Sequence, residues 1–234
     1  MDKADSIEAA VAAFAEKTHE LSLFMDGVAK WFLTHPKLHC ADLPIVHSVK
    51  MRLKEPDHLR EKLNRKWNYD GPIGPDNLFD RITDLAGVRV LHVYQAQFLK
   101  IHGEILGKVN DLKDWYLPES PQAYTWDPES KKFFEDAGII VQVKESFYTS
   151  VHYLVRPRSD SPICCEIQVR TLFEEIWGEV DHTLNYPEPS SNLSCREQLR
   201  VLAKLVGAGS RLVDSIFRSA AVSPTTAKTH QAEL

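Results

Sequence analysis

Apolar residues recur at helical spacing from residue 4 to residue 34. Ala9, Phe14, Leu21, Phe24, Val28 and then Trp31 or Phe32 share one side of a helix. His35-Pro36 ends that pattern. Residues 47–54 alternate instead: Val49, Met51 and Leu53 face one way, and Lys50, Arg52 and Lys54 the other, as in a strand. Pro56 suits the first turn of a following helix that runs to about Trp67. The segment NYDGPIGPDN reads as a loop from its Gly, Pro and Asp content.

Further along, a strand is expected at 86–93. A helix at 95–109 follows, with Phe98, Ile101, Ile105 and Val109 on one side. The stretch from Asp111 to Asp136 is aromatic, acidic and rich in proline. It reads as an inserted loop with a short helix at 128–136, long enough to suggest a lid-like role. Three strands come next, at 138–144, 148–156 and 163–170, then helices at 171–185 and 194–219. The second helix has a broad apolar face that includes Leu199, Leu202, Leu212, Val213, Ile216 and Phe217. This order predicts an α/β or α+β domain with a mixed five-stranded sheet and flanking helices. The chain divides into an N-terminal helical segment (1–45), a core (46–190), a C-terminal helix (191–219) and a disordered tail (220–234).

Bulk properties narrow the options. The 234 residues suit one domain with helical additions, and 43% hydrophobic content supports a core. The net charge of -5 is the opposite of a general nucleic-acid binder, so any polyanion must meet local cations. No apolar run reaches membrane-spanning length, and the first residues lack the basic start and apolar core of a signal peptide. Cys40, Cys164, Cys165 and Cys195 form no CxxC pair. They are expected to be reduced thiols in a cytoplasmic protein.

Two stretches carry the chemistry. FDRITDLAGVRVL (79–91) places Asp84 near Arg89, and ICCEIQVRT (163–171) places Glu166 near Arg170. Two carboxylates can hold Mg²⁺, and the arginines can hold the phosphates that come with it. Strand alternation puts Glu166, Gln168 and Arg170 on one face, and Tyr148, Ser150 and His152 on one face of their own strand. His58 and Lys62 lie four apart on a helix, so they are surface neighbours. If these faces meet, one cleft holds cations, an imidazole, a phenol ring and two carboxylates, a set suited to a nucleoside polyphosphate.

Taken singly, each residue has a plainer reading. Asp84 alone is a turn or cap residue. Arg52, Lys54 and Lys62 could form a solvated face. Tyr148 could be packing and His152 a satisfied core histidine. Glu166 is harder to dismiss, because its neighbours Ile163, Cys164, Cys165, Ile167 and Val169 are all apolar.

The joint order of these blocks resembles the RelA/SpoT-type alarmone synthetases, in particular the small synthetase-only members. The resemblance rests on Arg52-Leu53-Lys54 with Lys62, Asp84-Leu85 with Arg89, and Tyr148, Ser150 and His152. It continues through Glu166, Gln168, Arg170 and Thr171 to Trp177 and Asp181-His182. It implies a nucleotidyltransferase-like synthetase fold and an ATP-dependent pyrophosphokinase that makes guanosine tetra- or pentaphosphate from GDP or GTP. By the same resemblance, Asp84 and Glu166 would hold Mg²⁺, and Glu166 would also activate the acceptor 3′-hydroxyl. Arg52 and Arg89 would sandwich adenine, and Lys54 and Lys62 would hold the ATP phosphates. Lys144, Tyr148, His152, Gln168 and Arg170 would form the acceptor side.

The chain departs from the family pattern at a few positions. Phe147 stands where the family has glycine, His58 where it has serine, and Pro187 where a lysine is usual. Most of these fall on the acceptor side, which keeps tRNA 3′ ends and adenine nucleotides in view as acceptors. A non-catalytic nucleotide-binding module is a third reading. The chain has no His-Asp dipeptide, so hydrolase activity is not expected. The implied partners are ATP and GDP or GTP, with a homo-oligomer, tRNA and an antitoxin as further candidates and no membrane.

Overall fold

The computed structural model describes residues 2–40, 43–185 and 190–222. The first helix, α1 (Lys3–Thr34), begins at Asp2, whose carboxylate accepts the Asp5 N–H at 2.9 Å. Its buried side carries Phe14, Leu21, Val28 and Phe32, as the periodicity predicts. Then come β1 (Ser48–Leu53), α2 (Pro56–Asp70), a single-turn α3 (Leu78–Arg81), β2 (Ala86–His92) and α4 (Gln97–Asn110). They are followed by β3 (Gln122–Thr125), α5 (Pro128–Asp136), β4 (Ile140–Val143), β5 (Ser150–Val155) and β6 (Cys165–Thr171). Two helices end the described chain, α6 (Leu172–Asn185) and α7 (Leu193–Val222). No helix among the described residues is long and apolar enough to cross a membrane. Tyr186, Pro187 and most of the expected tail lie outside the described residues.

The strands form one mixed sheet of six, in the order β1-β2-β6-β5-β3-β4. The sequence predicts five. The sixth is β3, inside the stretch expected to be a loop. It pairs parallel to β4 and antiparallel to β5. Four residues next to Pro121 are too short to show a period, although Ala123 and Thr125 are fully buried. The rest of that stretch is not a free lid. Tyr116 and Arg156 exchange both backbone hydrogen bonds at 2.9 Å, and the buried Trp115 meets Trp31 edge-on at 5.0 Å.

One face of the sheet builds the core. Val88 and Val90, Val151 and Tyr153, and Ile167 and Val169 point there, beneath α1, α2 and α4. The alternate residues point to the opposite face, where α6 and α7 stand. Met51 remains exposed despite facing the way of Val49 and Leu53, because β1 is an edge strand. Helix α7 also departs from expectation. Its buried stripe is Leu199, Ala203, Val206, Ser210 and Asp214, while Leu205, Leu212 and Ile216 are exposed. Polar anchors fix that choice. Asp214 accepts the Ala96 N–H at 2.9 Å, and Arg211 donates to Asp127 at 2.6 Å.

Cys164 and Cys165 are both buried free thiols, and burial pushes the Cys164 pKa up to about 12. Neither is reactive as a thiolate in that setting.

Candidate active site

Strand alternation sets the site. In β6, Cys165, Ile167 and Val169 enter the core, so Glu166, Gln168 and Arg170 line an open cleft of about 550 Å³ on the other face. The register then assembles two rows across the sheet. Arg52, Gly87 and Glu166 stand side by side, and so do Lys50, Arg89, Gln168 and His152. Asp84 reaches the same cleft from the turn before β2, and Lys54 from the end of β1. Tyr148 forms part of the wall from the loop before β5. Asp181 and His182 of α6 close the far side.

The Asp84 carboxylate is held through one oxygen. Its Oδ2 lies 2.7 Å from the Lys62 ammonium and 3.0 Å from that of Lys54. Burial pushes the Asp84 pKa up, but the two lysines outweigh it and hold the group below its usual range. Lys54 is depressed in turn, chiefly by its own burial. Glu166 shows the same contest. Burial would raise its pKa, yet hydrogen bonds from His152 Nδ1 at 3.1 Å and Gln168 Nε2 at 2.6 Å bring it below the ordinary value. Both carboxylates are therefore ionised near neutral pH.

The donor set fits a hard divalent cation. Asp84 lines the cleft, and its Oδ1 is a buried carboxylate oxygen with no hydrogen-bond partner among the described residues. Among the described residues, no group of three or more His, Cys, Asp or Glu side chains comes together as a metal cage. A magnesium ion bound through one or two carboxylates, with ligand phosphates completing its shell, needs no such cage.

On the other side of Glu166, His152 bridges two groups. Its Nε2 lies 2.9 Å from the Tyr148 hydroxyl. One tautomer satisfies both contacts: Nδ1–H donates to Glu166, and Nε2 accepts from Tyr148. Burial raises the Tyr148 pKa, and its ring lies beside the Arg170 guanidinium, 5.9 Å from centroid to Cζ. Lys144 is not brought into the cleft wall. It lies on the exposed β4–β5 loop with its ammonium 4.7 Å from the Tyr124 ring centroid, and Tyr124 meets His152 edge-on at 4.8 Å.

Sequence reasoning missed two residues. Glu175, in the first turn of α6, is buried and binds three cations. Its carboxylate lies 2.7 Å from Lys50 and 2.8 Å from Arg89, and it also pairs with Arg170. Lys50 shares the row of Arg89 and lines the cleft with it. Within TLFEE, Thr171 and Glu174 form a reciprocal capping box at the start of α6. That box explains Glu174 and leaves Glu175 free for another purpose. One turn on, Gly178 makes room for Arg170: an added Cβ would lie 2.9 Å from its Nη1.

These features agree with the comparisons to known proteins. Residues 51–191 match the family described as the region found in RelA / SpoT proteins. The match spans more than half of the chain, from β1 through α6, and the chain belongs to this family. Its fold is similar to that of small alarmone synthetase 1 from Bacillus subtilis, with a TM-score of 0.61 at 17% identity over 91% of this chain and 96% of that one. The same enzyme bound to its product pppGpp matches with a TM-score of 0.60 at 20% identity, over 89% and 95%. A GTP pyrophosphokinase family protein from Streptococcus pneumoniae matches with a TM-score of 0.60 at 20% identity, over 92% and 96%. No curated protein matches the chain in sequence.

Proposed function

We propose that this protein is an ATP-dependent pyrophosphokinase that transfers the β,γ-diphosphate of ATP to the 3′-hydroxyl of GDP or GTP. The observation that carries this reading is the placement of Glu166 and Asp84, both ionised, in one cation-lined cleft of a RelA/SpoT-family chain. The pppGpp-bound relative supports a guanine nucleotide as acceptor.

On the donor side, Arg52 and Arg89 are diagonal neighbours around Gly87, which has no side chain to fill the gap. Diagonal residues of a strand pair stand about 7 Å apart, which leaves room for one planar ring between two guanidinium faces. Lys54 and Lys62 exchange part of their hold on Asp84 for the phosphates of ATP. Asp84 and Glu166 would hold Mg²⁺, which when bound neutralises phosphate charge. Glu166 takes the proton of the 3′-hydroxyl through a carboxylate oxygen, as the hydroxyl's own oxygen attacks the β-phosphorus of ATP and AMP leaves. Tyr148 offers its ring to the acceptor base. Gln168 and His152 hold the two oxygens of Glu166 in place.

The test is direct. The purified protein is incubated with γ-labelled ATP and Mg²⁺ and, separately, GDP, GTP, ADP and tRNA. Label should move to GDP or GTP, with AMP as the second product, and Glu166→Gln should stop it. Transfer to ADP or tRNA alone would replace the acceptor. No transfer to any of the four would remove the enzymatic reading.

A further inference from the structure

Glu175 gathers three cations that line the cleft, and the catalytic scheme does not use it. Its side chain is only 7% exposed, and three cations converge on it from three strands: Lys50 of β1, Arg89 of β2 and Arg170 of β6. Glu179, one turn later and largely exposed, adds a second carboxylate to Lys50 at 3.3 Å and to Arg89 at 3.0 Å. Ordinary helix packing does not need this arrangement, because Glu174 already caps α6. A lone buried carboxylate would also be costly unless it served the groups around it.

The geometry at Arg89 shows what it serves. A guanidinium donates hydrogen bonds only in its own plane, and Arg89 directs Nη1 at both Glu175 and Glu179. One end of the guanidinium is therefore tied to α6, and the residue lines the cleft. Without that tether, a long flexible side chain would sample many planes and lose entropy on stacking. Three cations against two carboxylates also leave the cluster net positive, so the tether does not cancel the attraction for a polyphosphate.

We propose that Glu175 is a positioning residue for the nucleotide donor. It acts through Arg89, locking the guanidinium plane against which the adenine ring stacks. This rests on the assignment of the donor side to Arg52 and Arg89 made above.

The experiment measures binding of the ATP analogue with a methylene bridge between the α and β phosphorus atoms, by calorimetry on the full chain. Glu175→Gln keeps the shape and removes the charge. Its analogue Kd should weaken about tenfold, the scale of a lost stacking and ion-pair contribution. Glu175→Asp, which keeps the charge, should recover part of the loss. The decisive arm is a cycle with Arg89→Met. If Glu175 acts through Arg89, the double variant binds no worse than Arg89→Met alone. Additive losses, or an analogue Kd for Glu175→Gln within about twofold of wild type, overturn the proposal. Should Glu175→Gln fail to fold, Glu179→Gln carries the test. That exposed variant should weaken the analogue by about threefold, and an unchanged Kd overturns the proposal. A wild type that binds the analogue but transfers to no acceptor would sink the proposed reaction and leave the Glu175 result standing. A wild type that does not bind the analogue sinks both.

Discussion

His152 Nδ1 lies 3.1 Å from Glu166 Oε1, and this contact does most to keep a buried carboxylate ionised. Burial alone drives the Glu166 pKa up, and the His152 hydrogen bond is the largest influence opposing it. In His152→Ala the opposition shrinks to the Gln168 bond. The Glu166 pKa should then rise, and with it the pH at which the basic form of the enzyme is lost. We expect the acid limb of the kcat/KM profile to move to higher pH, with the plateau rate reduced about tenfold or more. A profile lowered uniformly, with its acid limb unmoved, would show that His152 acts only on geometry.

Asp84 has two duties that substitution can separate. Oδ2 gathers Lys54 and Lys62, and Oδ1 is the unsatisfied oxygen. Asp84→Asn keeps a neutral oxygen for a cation but releases both ammonium groups. Transfer should fall about a hundredfold, with part of the loss restored by raised Mg²⁺, since an amide oxygen is a weaker ligand for a hard cation. The Mg²⁺ dependence of ATP-analogue binding gives a readout independent of turnover. An analogue affinity with wild-type Mg²⁺ dependence would leave Asp84 as an anchor for the lysines alone.

The loop before Tyr148 stores strain. Phe147 has φ of 60°, a left-handed conformation unfavourable for a residue with a side chain, at the position where the family has glycine. Its ring offsets this by packing edge-on to Trp126 at 5.0 Å, next to Trp177, Ala203 and Val206. Phe147→Ala keeps the strain and loses the packing, whereas Phe147→Gly loses both. In urea unfolding we expect the glycine variant to be more stable than the alanine variant by about 1 kcal/mol, the reverse of the usual order. Alanine more stable than glycine would mean that residue 147 is not held at positive φ in solution.

The sequence reveals the site where strand alternation governs it. In β6, apolar and polar residues strictly alternate, so Glu166, Gln168 and Arg170 can be placed on one face before any coordinates. The same holds for Arg52 in β1 and for Lys54 just past its end. What escapes is decided by tertiary contacts. Glu175 sits beside Glu174 in a helix, and its three cations come from distant strands that the local sequence does not show. The capping-box spacing from Thr171 to Glu174 is the one signal that sets Glu175 apart. Lys144 stands on the exposed β4–β5 loop beside the Tyr124 ring, past the end of β4, where strand alternation gives no placement. In α7 the apolar face is wider than the surface it covers, so periodicity cannot say which half is buried. Asp127 and Asp214, reached by Arg211 and Ala96, make that choice.

Tyr148 is linked through His152 to Glu166, which joins the proposed acceptor side to the proposed general base. Its ring lines the cleft, and its hydroxyl contacts the same His152 that supports Glu166. The two parts of the side chain should therefore affect different constants. Tyr148→Phe keeps the ring, so the KM for GDP should change by less than about twofold. It removes the hydroxyl that anchors His152 Nε2, so kcat should fall and the acid limb should shift in the direction expected for His152→Ala, by a smaller amount. Tyr148→Ala removes the stacking surface as well. Stacking of a base on an aromatic ring is worth about 1–3 kcal/mol, so the KM for GDP should rise about tenfold or more. The split is diagnostic because a merely structural tyrosine would lower kcat and stability together without separating the two variants. If both variants lose GDP affinity equally, the hydroxyl itself contacts the acceptor. If neither does, the acceptor base stacks elsewhere, and Tyr148 serves only to hold His152.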